Sequence, residues 1–206
     1  MPIYCGIDQA LNRSGIAITD GSTILTTYFT TDPEACQYSR ICEVRSLVKR
    51  MGQSTAIDTI AIEQAPSGGM GNGKAMAASI MITLNQLEFC LLDQFKQTGQ
   101  VFKTLSAISN VKIGWPRTLG SPGTKDKMAE WLVNTGVALP RSISSDEIDA
   151  IGLCWASLVI DGIKTPTDIQ NAKIVRVAPK TFRAAPESFA NLLQSSGSLQ
   201  EVCHAL

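Results

Sequence analysis

Histidine is almost missing from this chain. The sequence has 206 residues and one histidine, His204, so histidine-based acid/base chemistry and histidine metal clusters have hardly any material to work with. Six cysteines (Cys5, Cys36, Cys42, Cys90, Cys154, Cys203) are scattered with no CxxC pair. Their spacing argues against a zinc site or a disulfide framework, and in apolar segments a reduced cysteine behaves as a small hydrophobe. Net charge is also lacking, since 18 basic residues balance 18 acidic ones; any nucleic-acid surface must come from local clustering. No apolar run approaches the roughly 20 residues of a membrane span, and the N-terminus has no basic-then-apolar signal layout. The expectation is a soluble, cytoplasmic protein, of a bacterium or of a phage- or virus-infected cell, whose chemistry uses carboxylates, lysines or a bound ion.

What is present is a core. Hydrophobic residues make up 44% of the chain, enough for one sizeable domain with a short appendage. Ile3 to Asp8, Gly15 to Asp20 and Ser22 to Thr30 are β-rich runs, and Asn12-Arg13-Ser14-Gly15 and Asp20-Gly21 between them have the turn chemistry of an antiparallel meander. Asp32-Pro33 reads as a helix start, with apolar spacing through Ile41, Val44, Leu47, Val48 and Met51 to Gly52. Thr59 to Glu63 reads as a buried strand, followed by a glycine-rich loop from Ala65 to Gly73. A long helix from Lys74 to Lys96, a strand from Val101 to Leu105 and helices from Thr124 to Asn134 and from Ser145 to Ile160 follow. Lys173 to Val177 is a candidate edge strand, and short helices are expected from Pro186 onwards. The pattern predicts an α/β mixed sheet, three antiparallel strands and then parallel ones, flanked by helices. We divide it into a domain over 1–163 and a C-terminal extension over 164–206 that docks on the core or on a partner chain.

Four carboxylates carry the chemistry: Asp8 and Glu63 at strand ends, and Asp146 with Asp149 in Ser145-Asp146-Glu147-Ile148-Asp149-Ala150. Either strand-end acid alone is ordinary turn chemistry. Asp146 and Glu147 also suit a helix start, capped by Ser144 or Ser145. Asp149 fits that reading less well, because Ile148, Ala150 and Ile151 around it belong in a core. Ionised carboxylates beside buried runs are costly unless cations compensate them. Two hard ions held by shared carboxylates are suited to in-line displacement at a phosphodiester.

In Gly6-Ile7-Asp8 followed by Ser14-Gly15-Ile16-Ala17, in Ala61-Ile62-Glu63-Gln64 and in Asp146-Glu147-Ile148-Asp149-Ala150-Ile151-Gly152, the chain resembles the RuvC family of Holliday junction resolvases, within the ribonuclease H-like superfamily. The resemblance covers roughly Met1 to Leu158. It implies that Asp8, Glu63, Asp146 and Asp149 bind two Mg²⁺ or Mn²⁺ ions per site. It also implies a homodimeric endonuclease that resolves four-way junctions by paired nicks, leaving 5′-phosphate and 3′-hydroxyl ends.

Two basic stretches bear on DNA binding. The first runs from Lys103 to Lys127, and within it Val111-Lys112-Ile113-Gly114 and Gly123-Thr124-Lys125-Asp126-Lys127-Met128 look like the family's DNA-contacting segment; Lys112 and Lys125 are the leading candidates for phosphate contacts, with Arg117 and Lys127 behind them. The second, Lys173, Arg176, Lys180 and Arg183, reads equally as a solvated face or as a binding surface. Where the family often has a junction-inserting aromatic, this chain has the glycine loop, whose Met70 is the apolar residue available as a wedge and whose Lys74 is a further contact candidate. The same loop, Gly68 to Lys74, fits GxxxxGK, and Leu158 to Asp161 imitates a Walker B strand. A nucleotide triphosphatase is therefore the rival function, although Ala75 stands where a Mg²⁺-binding hydroxyl belongs. A less selective branched-DNA nuclease is a further alternative.

Overall fold

The computed structural model describes residues 2–54, 57–64, 78–96, 101–105 and 125–184. The strands are β1 (Ile3–Asp8), β2 (Arg13–Thr19), β3 (Thr23–Thr30), β4 (Ile57–Glu63), β5 (Val101–Leu105) and β6 (Lys173–Arg176). The helices are α1 (Gln37–Ser54), α2 (Ala78–Lys96), α3 (Lys125–Asn134), α4 (Ser145–Ile160) and α5 (Pro179–Ala184), with a 3₁₀ turn at Pro166–Asn171. The strands form one sheet in the order β5-β4-β1-β2-β3-β6. β1, β2 and β3 are antiparallel neighbours, while β4 joins β1, β5 joins β4 and β6 joins β3 in parallel. This is the mixed α/β architecture the sequence predicts.

Every residue of β1 is buried, which explains its continuous apolar run: helices cover both faces of the sheet. Alternation along the strands divides the core into two layers. Ile3, Cys5, Ile7, Ile16, Ile18 and Leu25 face a cluster that includes Val44 and Val48 of α1 and Leu87 and Leu91 of α2. Tyr4, Ala17 and Ile24 face the other cluster, with Met128 and Leu132 of α3 and Ile151, Trp155 and Leu158 of α4. The edge strand expected at Lys173 is β6, and after it Val177 and Phe182 enter the first cluster. Among the described residues no helix is long and apolar enough to cross a membrane.

Helix α4 is the element nearest the sheet centre, and two glycines set its height. A Cβ on Gly6 would stand 2.3 Å from the Ala150 carbonyl oxygen, and one on Gly15 would stand 1.9 Å from that of Asp146. Backbone packs on backbone there, which only glycine permits. Gly15 is therefore a strand residue within β2 and not part of the turn its neighbours suggest; the reversal lies at 9–12, just before β2 begins at Arg13.

Further differences have local causes. The first helix begins at Gln37, because Asp32 closes a turn: its Oδ1 accepts from Glu34 N at 3.0 Å and its carbonyl accepts from Ala35 N at 3.2 Å. Asp161 is the C-cap of α4 and lies on no strand, so the Walker B resemblance has no structural counterpart. Gly136, at φ +92°, closes α3 as predicted, with Val137 N donating to Leu132 O at 2.9 Å. Met70, Lys74, Lys112, Arg117 and the helices expected beyond Pro186 lie outside the described residues.

Gly6→Ala is expected to cost on the order of 3 kcal/mol or to prevent folding, since rigid backbone must give way. Gly136→Ala meets no atom within 4 Å, and should lose only about 1 kcal/mol from its left-handed backbone. Urea unfolding of the two variants checks the contrast; equal losses would mean that α4 does not rest on Gly6.

Candidate active site

Parallel pairing of β1 with β4 runs to Ile7 opposite Ile62, so the next residues, Asp8 and Glu63, end neighbouring strands at the same edge of the sheet. Ligand sites in sheets with parallel strands favour such carboxyl ends. Gln9 fastens the two ends together: its side-chain amide donates to the Glu63 carbonyl, and its Oε1 accepts from Glu63 N at 3.2 Å. On the other side Asp8 pairs with Gly15, the residue on which the first turn of α4 rests. That turn carries Asp146, and Asp149 follows about one helical turn later. The fold thus brings all four predicted acids to one end of the sheet, from three elements.

Their environments differ. Asp149 is 1% exposed and Asp8 9% exposed, while Glu63 is half-buried. Asp146 forms an ion pair with Arg13 Nε at the start of β2. Glu147 is fully buried and belongs to the scaffold. In a capping box, its N accepts nothing but donates to Ser144 Oγ at 3.3 Å, while its Oε2 accepts from Ser144 N at 2.9 Å. Arg176 Nε of β6 reaches both its carboxylate oxygens, at 2.8 and 3.2 Å. The guanidinium groups of Arg13 and Arg176 lie 5.5 and 5.6 Å from the centre of the Tyr28 ring, within cation–π range. Two arginines, both against Tyr28, therefore face the two acids in the first turn of α4.

The turn between β1 and β2 is held from α1. Arg40 donates to Thr31 Oγ1 at 2.9 Å and to Leu11 O at 3.2 Å, and it also bonds Asn12 Oδ1. Ser14 Oγ donates to Ala10 O at 2.8 Å across the same turn. Beneath the site, burial pushes the thiols of Cys5 and Cys154 upward, so neither is an activated nucleophile. At the opposite end of β1, Asp161 accepts from Tyr4 Oη at 2.6 Å and pairs with Lys103. Burial works to raise the Asp161 carboxyl, but these bonds outweigh it and hold it below the usual carboxylate range. Lys103 is thus tied to the end of the sheet away from the acids.

Carboxylates are the donor type that Mg²⁺ and Mn²⁺ take, and the four acids supply it. Their arrangement does not close around an ion, however: among the described residues no three acidic, histidine or cysteine side chains form a group that could hold a metal. The donor chemistry fits; the side-chain geometry does not. Of the predicted DNA contacts, Lys125 and Lys127 fall in the first turn of α3. In the second basic stretch Arg176 turns inward to the buried Glu147, while Arg183 pairs with Glu43 at the surface. Sequence reasoning missed Gln9, Arg13, Tyr28 and Arg176 as parts of the site. Only Arg13, five residues after Asp8, had a position that pointed there.

No protein-family model and no curated protein matches the sequence. Solved structures do match. Thermus thermophilus RuvC in complex with a Holliday junction substrate superposes at a TM-score of 0.57, with 12% identity, over 81% of this chain and 99% of that chain. A second Thermus thermophilus RuvC structure gives 0.55, with 12% identity, over 80% and 99%. At such identity the likeness is one of fold, and the chain has the RuvC-like, ribonuclease H-like fold.

Arg176→Met removes the cation from a buried carboxylate and should destabilise the protein by about 3 to 5 kcal/mol. Adding Glu147→Gln should recover part of that loss. Thermal or urea unfolding of the single and double variants tests it, and an additive loss would disprove the coupling.

Proposed function

We propose that this chain is a metal-dependent endonuclease that resolves four-way DNA junctions by paired, symmetric nicks, leaving 5′-phosphate and 3′-hydroxyl ends. The observation that carries this reading is the meeting of Asp8, Glu63 and the first turn of α4 at one end of a RuvC-like sheet. On this reading Asp8, Glu63 and Asp149 supply the carboxylate donors for two Mg²⁺ or Mn²⁺ ions, with Asp146 completing the second site or orienting water, and their side chains would have to close together to hold them. Gln9 keeps the ends of β1 and β4 in register. Burial of Asp149 keeps its carboxylate on a rigid helix, as a preorganised site requires. Lys112, Lys125, Arg117, Lys127 and Lys74 would hold phosphates, and Met70 would wedge into the junction.

The working unit in this reading is a homodimer. Ile82 and Phe89, one α2 face apart by seven residues, are 55% and 70% exposed, and Tyr38 of α1 is exposed beside them. Ile82 and Phe89 line a groove of about 400 Å³ with Asn85, Gln86 and Cys90, and Gln86 and Cys90 also line a second groove of about 470 Å³ that holds Tyr38. A largely uncharged, apolar face of this kind suits a second copy. The cytoplasm of a bacterium, or of a phage- or virus-infected cell, is the compartment this activity would serve.

Wild type in Mg²⁺ should nick a synthetic four-way junction in symmetric pairs, leave linear duplex intact and stop on chelation. Asp8→Asn and Asp149→Asn should each lose more than the roughly 100-fold that removing a supporting group costs, with junction binding retained. Undiminished cutting by Asp149→Asn would refute the site, and equal cutting of other branched DNA would leave a less selective nuclease.

Sedimentation equilibrium should give twice the 22.1 kDa of one chain. Ile82→Glu with Phe89→Glu should give a monomer. A wild-type monomer at micromolar concentration, free and junction-bound, would rule out the dimer.

A further inference from the structure

Helices α1 and α2 lie against each other with their chains running the same way, and side-chain bonds fix their register. Gln37 Nε2 donates to Thr83 Oγ1 at 2.7 Å and to Gln86 Oε1 at 3.2 Å. About two turns further along, Arg45 pairs with Asp93 at 3.5 Å. Between these bonds stand Cys42 on α1 and Cys90 on α2. Cys90 follows Cys42 by 48 residues, the same separation as Asp93 from Arg45, so the two cysteines occupy one level of the helix pair. Both line the groove of about 470 Å³ formed by residues of α1 and α2. Their setting differs from that of the other described thiols. Cys5 and Cys154 are enclosed in the core, and Cys36 is exposed against Ser39 Oγ at 3.2 Å. Cys42 and Cys90 are half-buried, open to a small reagent, and Cys90 is backed by the first core cluster. A hydrogen bond to the Cys42 thiol, and more weakly the nearness of Cys90, push the Tyr38 hydroxyl above its ordinary range, so one phenol senses both sulfurs.

We propose that Cys42 and Cys90 form a reversible disulfide that staples α1 to α2. The reaction is exchange with a small-molecule disulfide such as oxidised glutathione. The Cys42 thiolate attacks one sulfur of the reagent and displaces the first glutathione thiolate; the Cys90 thiolate then attacks Cys42 Sγ and displaces the second. Two thiol protons leave, one S–S bond forms in the protein, and the two electrons reduce the reagent to two thiols. A disulfide needs its Cα atoms roughly 4.4–6.8 Å apart. Packed helices stand about 8–10 Å apart with Cα atoms about 2.3 Å off each axis, so residues at one level that turn toward each other come within that range. The link encloses the end of α1, all of β4 and much of α2, and cross-linking so long a stretch restricts the unfolded chain strongly. A half-buried disulfide is also the kind that thiols reopen. The inference stands on the α1–α2 register and is independent of the nuclease reading.

Native protein treated with oxidised glutathione, alkylated and digested with trypsin tests it. Cleavage after Arg40, Arg45, Lys74 and Lys96 leaves Cys42 in residues 41–45, Cys90 in residues 75–96 and Cys36 in a third peptide. The expected product joins 41–45 to 75–96 in a chain that remains of monomer mass on a non-reducing denaturing gel. Its unfolding midpoint should rise by roughly 5 °C, and excess dithiothreitol should reverse both changes. Cys42→Ser and Cys90→Ser should each abolish them, while Cys36→Ser should leave them intact. Should a second copy cover the groove, the Ile82→Glu, Phe89→Glu chain opens it and should yield the same joined peptide. Absence of that peptide from both chains, a link that involves Cys36, or an oxidised chain that unfolds at the same temperature as the reduced one would overturn the proposal.

Discussion

The crossing of α4 over β1 and β2 sets the position of nearly everything else at this end of the molecule. Two glycines, Gly6 and Gly15, let helix backbone lie directly on strand backbone, closer than any side-chain-mediated packing would allow. Above that contact α4 is apolar on every side, with Ile151, Cys154, Trp155 and Leu158 all buried, as a helix enclosed by its own fold must be. Trp155 fills the space beside it and donates from its indole nitrogen to the Thr165 carbonyl at 3.2 Å. Because Gly15 is opposite Asp8 in the hairpin, the same contact that seats the helix also brings its acidic first turn to the end of β1. Packing and placement of the site are a single constraint.

That placement concentrates negative charge, and the fold answers it with arginines from far along the chain. Glu147 is neutralised by Arg176 of the edge strand, Asp146 by Arg13 of the hairpin, and both guanidinium groups share Tyr28. The edge strand β6 therefore extends the sheet and also supplies the cation without which a fully buried glutamate would be untenable. The two pairs differ in burial: the Glu147 carboxylate is wholly enclosed, while Asp146 and Arg13 keep part of their surface in solvent.

The acids themselves were legible in the sequence, because an aspartate in an apolar run such as Ile148-Asp149-Ala150-Ile151 contradicts its surroundings. The helix start at Ser145 was legible as well, since the cap and the glutamate three residues later form a local motif that the structure shows bonded in both directions. The strand run from Gly15 was read as a strand, but the turn before it was placed too late, at Asn12 to Gly15, because a glycine required by a neighbour from residue 146 looks the same in sequence as one required by φ. The start of α1 was misread for a similar reason: Asp32-Pro33 suits a turn as well as a cap, and here the Asp32 carboxylate closes the turn. Gln9 and Tyr28 gave no signal, and Arg176 stood out only as one of a basic stretch, as polar residues in or beside strands are ordinary until their partners are known.

By itself the sequence determined the element types, the two-sided burial of the sheet and the identity of the acidic residues. Those follow from periodicity, capping and the cost of burying charge, which act between near neighbours or on single side chains. Tertiary structure decided which acid has which counter-ion: Arg13 and Asp146 stand 133 residues apart, and Arg176 meets Glu147 only because β6 adds to β3. Coulomb attraction depends on distance in space and carries no trace in local pattern. Which residues are the acids was written in the chain, and what stands beside each of them emerged only when it folded.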